Sequence, residues 1–90
     1  MVALKVFTQP ACPRCPAAKT LGEKLETAGV RVEYYDVSNV DGLAESHMYT
    51  IKATPSLVLV NEDEDEVAAW RGDVPSLEEV QTAIKNVSVD

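Results

Sequence analysis

The chain has 90 residues, 46% of them hydrophobic and 26% charged, and a net charge of −7 at neutral pH. A chain of this length builds one core and has no room for a second, so a single domain over residues 1–90 is expected. The totals exclude a membrane span, because no apolar run approaches the ~20 residues a bilayer helix needs. They also argue against nucleic acid as the main ligand, since phosphate contacts need clustered Lys and Arg.

The first strand expected in chain order is "VALKVFT", Val2 to Thr8, rich in β-branched and aromatic residues and ended by "QPAC". From Cys15 onward the period changes. Ala18, Leu21, Leu25 and Ala28 are spaced three, four and three apart, one buried stripe of a helix that Gly29 is placed to stop. "VRVEYYDV" alternates as a half-exposed strand does, and "DGLAESHMYTI" is a short helix with Leu43, Met48 and Ile51 as expected core contacts. "SLVLV", Ser56 to Val60, is a continuous apolar run suited to a strand buried on both faces. "EVAAWRG" pairs with it as a hairpin, and Trp70 is expected to pack on the core or within that hairpin. In the last helix Ser76 and Glu79 form a capping box ahead of Leu77, Val80, Ile84 and Val87, again spaced three, four and three. The order is β-α-β-α-β-β-α, an α/β layer architecture.

The charge is concentrated rather than spread. Five of the fifteen acidic residues run consecutively from Glu62 to Glu66 in the expected hairpin turn, and the other ten face eight basic residues. A solvated turn is the expectation there. The opening "MVALKVF" lacks the apolar core and cleavage site of a secretory signal, which places the chain in the cytoplasm as an expectation.

Both cysteines, Cys12 and Cys15, stand in "FTQPACPRCPAAK" at the first strand–helix junction. In a cytoplasmic chain such a pair is metal-binding or catalytic before it is a structural framework. A structural zinc site wants four ligands, and this chain offers two cysteines and the lone His47, so no metal is expected. His47 is read as a surface or boundary residue. A purely structural disulfide across so small a loop would constrain the unfolded chain little. A redox pair fits better. Cys15 continues the buried stripe of the helix and Cys12 lies one step back, which predicts one thiol at the tip and one tucked beneath it. Unpaired N–H groups at a helix start favour a thiolate, and Cys-x-x-Cys pairs there have pKa values lowered from about 8.5 to roughly 3.5–7.5. Arg14 adds a cation between the two thiols, and Pro13 suits the first helical position. Pro16 would then remove the first helical hydrogen bond, unless the regular helix begins later.

With "CPRC" opening a helix and "ATPSLVLV" entering a buried strand, the chain resembles the thioredoxin superfamily over essentially its whole length. The first half is similar to the glutaredoxin active-site segment, and "YTIKATPSLVLV" with "WRGDVPSLEEV" to thioredoxin. The resemblance implies a thioredoxin fold in its minimal, glutaredoxin-like form, a four-stranded mixed sheet flanked by helices. It implies that Pro55 is cis and faces the cysteines, and that the backbone of Thr54 accepts a substrate strand. Thioredoxins carry a buried Asp where this chain has Val6, and aromatic residues where it has Thr8 and Ala11. Proton transfer to Cys15 would therefore use water, a nearby Lys or Glu, or the substrate. Glutaredoxins have an aromatic residue at the position of Arg14 and a Gly-Gly…Asp segment of which only Gly72 and Asp73 remain, which argues against glutathione.

The expected function is that of a monomeric enzyme, a dithiol–disulfide oxidoreductase that reduces protein disulfides. Cys12 is the nucleophile and Cys15 the resolving thiol; Thr54 and Pro55 position the substrate, and Pro13 and Arg14 tune the thiol. The expected donor is a flavin-dependent partner of the thioredoxin-reductase type, with no cofactor held by the protein itself. Two alternatives stand beside it: a glutathione-dependent glutaredoxin, and a thioredoxin-fold binding or metal-binding module whose cysteines do not cycle.

Overall fold

Strand β1 (Ala3–Thr8) is built from residues that can be buried on either face, and all six are buried. The computed structural model that places it describes residues 2–88; residues 1, 89 and 90 of the expected domain lie outside that range. After β1 come α1 (Cys15–Thr27), β2 (Arg31–Asp36), α2 (Val40–Met48), β3 (Ser56–Val60), β4 (Glu66–Arg71) and α3 (Leu77–Ser88), the order expected from the sequence.

The strands form one mixed sheet in the order β2-β1-β3-β4. β1 runs parallel to β2 and antiparallel to β3, and β3 and β4 form the antiparallel hairpin. The two central strands are buried throughout, whereas β2 and β4 at the edges are only half covered. Because strand side chains alternate, β1 and β3 feed two cores. Leu4, Val6, Leu57 and Leu59 face Ala18, Leu21 and Leu25 of α1 and Val80 of α3, with Trp70 packed at the margin. Ala3, Phe7, Val58 and Val60 face the other way, against Tyr49 and Ile51.

The helix ends follow from their cap residues. Gly29 takes φ +92°, and the N–H groups of Gly29 and Val30 donate to Glu26 and Leu25 carbonyls at 2.9 Å, the paired bonds of a Schellman stop. In the capping box of α3 the Glu79 N–H donates to Ser76 Oγ at 3.0 Å and the Ser76 N–H to Glu79 Oε1 at 3.1 Å. Asn39 caps α2 by accepting from the Gly42 N–H at 2.8 Å.

One expectation about the core is corrected. Leu43 and Met48 are not core residues: they are 46% and 68% exposed, and of the three only Ile51 is buried. The reason is a close approach. α2 meets the sheet through the small residues Gly42 and Ser46, and a Cβ on Gly42 would overlap the Asp36 carbonyl. A helix that close has no room for leucine beneath it.

The acidic turn is exposed at every residue from Glu62 to Glu66, as expected of a solvated turn, and it is also internally bonded. Asn61 Oδ1 accepts the N–H groups of Asp63 and Asp65 at 2.9 and 3.0 Å. Glu66 pairs with Arg71, and Glu64 reaches inward to Lys5 at 2.8 Å. Lys5 is 1% exposed. Its ammonium donates to Glu33 of β2 at 3.3 Å, to Glu45 of α2 and to Glu64 of the turn, and lies 5.3 and 5.5 Å from the ring centres of Tyr35 and Tyr49. Burial alone would lower its pKa; the three carboxylates outweigh that and hold it above the ordinary lysine range.

Candidate active site

The end of β1, the turn that follows it and the start of α1 bring the cysteines together. Ala11 takes φ +60°, which turns the chain sharply ahead of Cys12. Cys12 and Cys15 are joined as a disulfide with Cα atoms 5.3 Å apart, so the structure is that of the oxidised couple. The Cys15 N–H donates to the Cys12 carbonyl at 3.3 Å, closing a tight turn over Pro13 and Arg14.

The helix begins at Cys15 with Arg14 as its N-cap, not earlier. Pro13 therefore lies in the turn before the helix rather than at its first position. Pro16 becomes the second helical residue, whose N–H has no helical partner in any case, so no bond is lost. The first helical bond comes from the Ala18 N–H to the Arg14 carbonyl at 3.4 Å.

The two sulfurs are unequal in access. Cys15 is 3% exposed and packs as the first residue of the buried stripe of α1, while Cys12 is half-buried at the rim. A reactant approaching from solvent meets Cys12 first. Val6, in the position where thioredoxins carry an acid, is fully buried among leucines, so no carboxylate is supplied to the site from β1 at that point.

The Thr54–Pro55 bond is cis, and Pro55 is buried at the foot of β3. Gln9, from the end of β1, and Thr54 line one open pocket of about 290 Å³ together with His47 and Lys52. The same loop is tied down behind Pro55: Ser56 Oγ donates to the Ala53 carbonyl at 2.7 Å and accepts the Gly72 N–H at 3.0 Å. His47 is exposed, as expected for a surface residue. Among the described residues no group of three His, Cys, Asp or Glu side chains is arranged to hold a metal ion.

Two contacts were not anticipated. Arg14 Nη2 donates to Asp73 Oδ1 at 3.0 Å, joining the cysteine turn to the β4–α3 loop. The Arg14 guanidinium, with the Val74 N–H behind it, holds the Asp73 carboxyl below its ordinary range. The second is the Lys5 cluster. A lone Lys inside a strand otherwise fit for burial was the available signal, and Glu33 is its partner in the β1–β2 register.

A thioredoxin fold with a half-exposed cysteine joined to a buried one at the start of its first helix defines a class, the thioredoxin-type thiol–disulfide oxidoreductases. The thioredoxin domain family matches residues 2–85. Among curated proteins, the chain is 34% identical over 87 residues to a thioredoxin of Methanocaldococcus jannaschii, covering 93% of each. It is 37% identical over 60 residues to a probable thioredoxin of Archaeoglobus fulgidus, covering 66% of each. Among solved structures, a mutant thioredoxin from Halobacterium salinarum superposes with a TM-score of 0.82 at 22% identity, over 99% of this chain and 76% of that one. The chain belongs to the thioredoxin family.

Proposed function

We propose that the protein reduces disulfide bonds in other proteins by a two-step exchange at Cys12 and Cys15. The observation that supports this most is the unequal burial of the two sulfurs. In the reduced protein the Cys12 thiolate attacks one sulfur of a substrate disulfide, forming a mixed disulfide and releasing the other sulfur as a thiolate. The Cys15 thiolate, too buried to meet substrate, attacks Cys12 Sγ and releases the second substrate thiolate. Two electrons pass to the substrate, its thiolates take up two protons, and Cys12–Cys15 is left as the disulfide. Thr54 offers its backbone to the substrate strand beside Pro55, and Arg14 and the turn containing Pro13 tune the ionisation of Cys12.

The electrons travel on the cysteine couple itself, so this reading calls for no resident cofactor. It places the protein in the cytoplasm as a monomer, with a flavin-dependent reductase of the thioredoxin-reductase type as donor. The test is reduction of insulin disulfides under two electron supplies: NADPH with thioredoxin reductase, and NADPH with glutathione and glutathione reductase. Turnover with the first supply only is expected. Turnover with the second alone would assign the protein to glutathione. Activity that survives Cys12→Ser would overturn the roles of the two cysteines, and Cys15→Ser should accumulate the mixed disulfide.

A further inference from the structure

The turn that carries the cysteines holds one cation, Arg14, and the fold supplies it with an anion. Asp73 is delivered from the β4–α3 loop, and that loop is pinned. Gly72 at φ +70° donates its N–H to Ser56 Oγ at 3.0 Å; Ser56 is fully buried and donates in turn to the Ala53 carbonyl. Asp73 Oδ1 also accepts the Val74 N–H at 2.9 Å. The carboxylate is therefore fixed at its end, while the guanidinium sits on a flexible stem. The two side chains are 57% and 62% exposed. A pair so open to water adds little to folding. Its place matters more: Arg14 is next to Cys15 and two residues from Cys12. Reduction creates a second anion, the Cys12 thiolate, and Arg14 then has two claimants.

We propose that Asp73 is a positioning residue of the redox site: it draws the Arg14 guanidinium toward the β4–α3 loop and so limits how far the reduced Cys12 is stabilised as a thiolate. A stabilised thiolate makes a couple more oxidising, because the reduced form is the one favoured. Asp73 thus keeps the couple reducing, which is the direction a disulfide reductase needs. Asp73 is charged at neutral pH, its carboxyl held low by Arg14 first and the Val74 N–H second. Other charged or titratable groups at this end of the sheet include Arg71, which closes β4 two residues before Asp73 and pairs with Glu66, Asp36 closing β2, Lys19 on α1, and His47 and Lys52 beside Gln9 and Thr54. Among the described residues none of them forms an ion pair with Arg14.

This inference rests on Cys12 being the attacking thiol of a cycling couple, and the experiment separates the two ideas. The protein is equilibrated with dithiothreitol. The Cys12–Cys15 bond breaks and dithiothreitol closes to its cyclic disulfide, giving up two electrons and two protons. One proton stays on Cys15, and the other dissociates once Cys12 ionises. The equilibrium constant, and the Cys12 ionisation followed by thiolate absorbance, are measured for the wild type, Asp73→Asn, Arg14→Gln and the double variant. Asp73→Asn should raise the ionisation constant of Cys12 about two- to fivefold, the range an exposed ion pair supplies. It should shift the equilibrium toward the reduced protein by a similar factor where Cys12 is ionised. Arg14→Gln should do the opposite. In the Arg14→Gln background the effect of Asp73→Asn should shrink toward one, and high salt should shrink it in the wild type. Equal effects of Asp73→Asn in both backgrounds, or none in either, would overturn the proposal. A couple that cannot be equilibrated at all would instead overturn the oxidoreductase reading beneath it.

Discussion

Gly42 is the residue at which α2 touches β2, and it is a glycine because nothing larger fits under the Asp36 carbonyl. Ala has the better helix propensity by about 1 kcal/mol, but overpacking against backbone costs about 1–3 kcal/mol. Gly42→Ala should therefore lose stability, by up to about 2 kcal/mol in urea unfolding; an increase would mean that α2 can retreat. Lys5 poses the opposite problem. Its ammonium is buried, but Glu33 and Glu45 are mostly covered and Glu64 about half, so four elements meet on one charge. Replacing it by Met leaves carboxylates facing each other without their cation. A loss of about 3 kcal/mol is expected, the cost of breaking a buried pair from one side. The sequence showed a Lys in the middle of a strand. It could not show that three glutamates, two of them in elements far along the chain, would arrive at the same point.

At the scale of the element, α1 and α3 were legible because each has a long apolar stripe and a recognisable end. α2 was half legible. Its presence as a short helix was read from the sequence, but its Asn39 cap and its end at Met48 were not, and its buried face consists of Gly42 and Ser46, which no hydrophobic period marks. Its far end adds a test. Thr50 takes φ +55° one residue beyond the C-cap, with the Ile51 N–H donating to the Ser46 carbonyl at 2.8 Å. This is the geometry that Gly29 gives α1, now imposed on a β-branched side chain. Thr50→Gly should relieve that strain and stabilise the protein by about 1 kcal/mol, read as a higher melting temperature. No gain would mean that Thr50 carries no strain there. The α3 capping box carries the reverse expectation: Ser76→Ala should cost about 1 kcal/mol.

For the whole molecule the Lys5 cluster sets a dependence on pH. Tyr35, by its hydrogen bond at 2.7 Å, and then Lys5 hold Glu33 below the ordinary 4.5, against burial. A lowered carboxyl contributes stability that is present above its unfolded pKa and lost as pH falls through the folded one. Burial and the bond to Glu33 raise Tyr35 from 10.0 to about 12, and Lys5 is raised from 10.5. Their contributions are full below those ordinary values and lost as pH rises through the raised ones. The melting temperature should therefore be flat from about pH 5 to 10 and fall on both sides. In Glu33→Gln the acid-side fall should be shallower; an unchanged acid limb would show that other carboxylates govern it.

What the sequence determined by itself is local or periodic. The order of the elements, the strand–helix junction carrying Cys12 and Cys15, the Gly29 stop and the Ser76–Glu79 cap follow from spacing and from the backbone demands of single residues. The tertiary structure alone decided what depends on segments far apart in the chain. It set the depth at which α2 sits, the gathering of Glu33, Glu45 and Glu64 on Lys5, and the meeting of Arg14 with Asp73, 59 residues apart. The physical reason is one of range. Hydrophobic period and capping act within a few residues and leave their mark in the chain, whereas an ion pair needs only two charges brought within about 4 Å, and nothing in the intervening sequence records that they will meet.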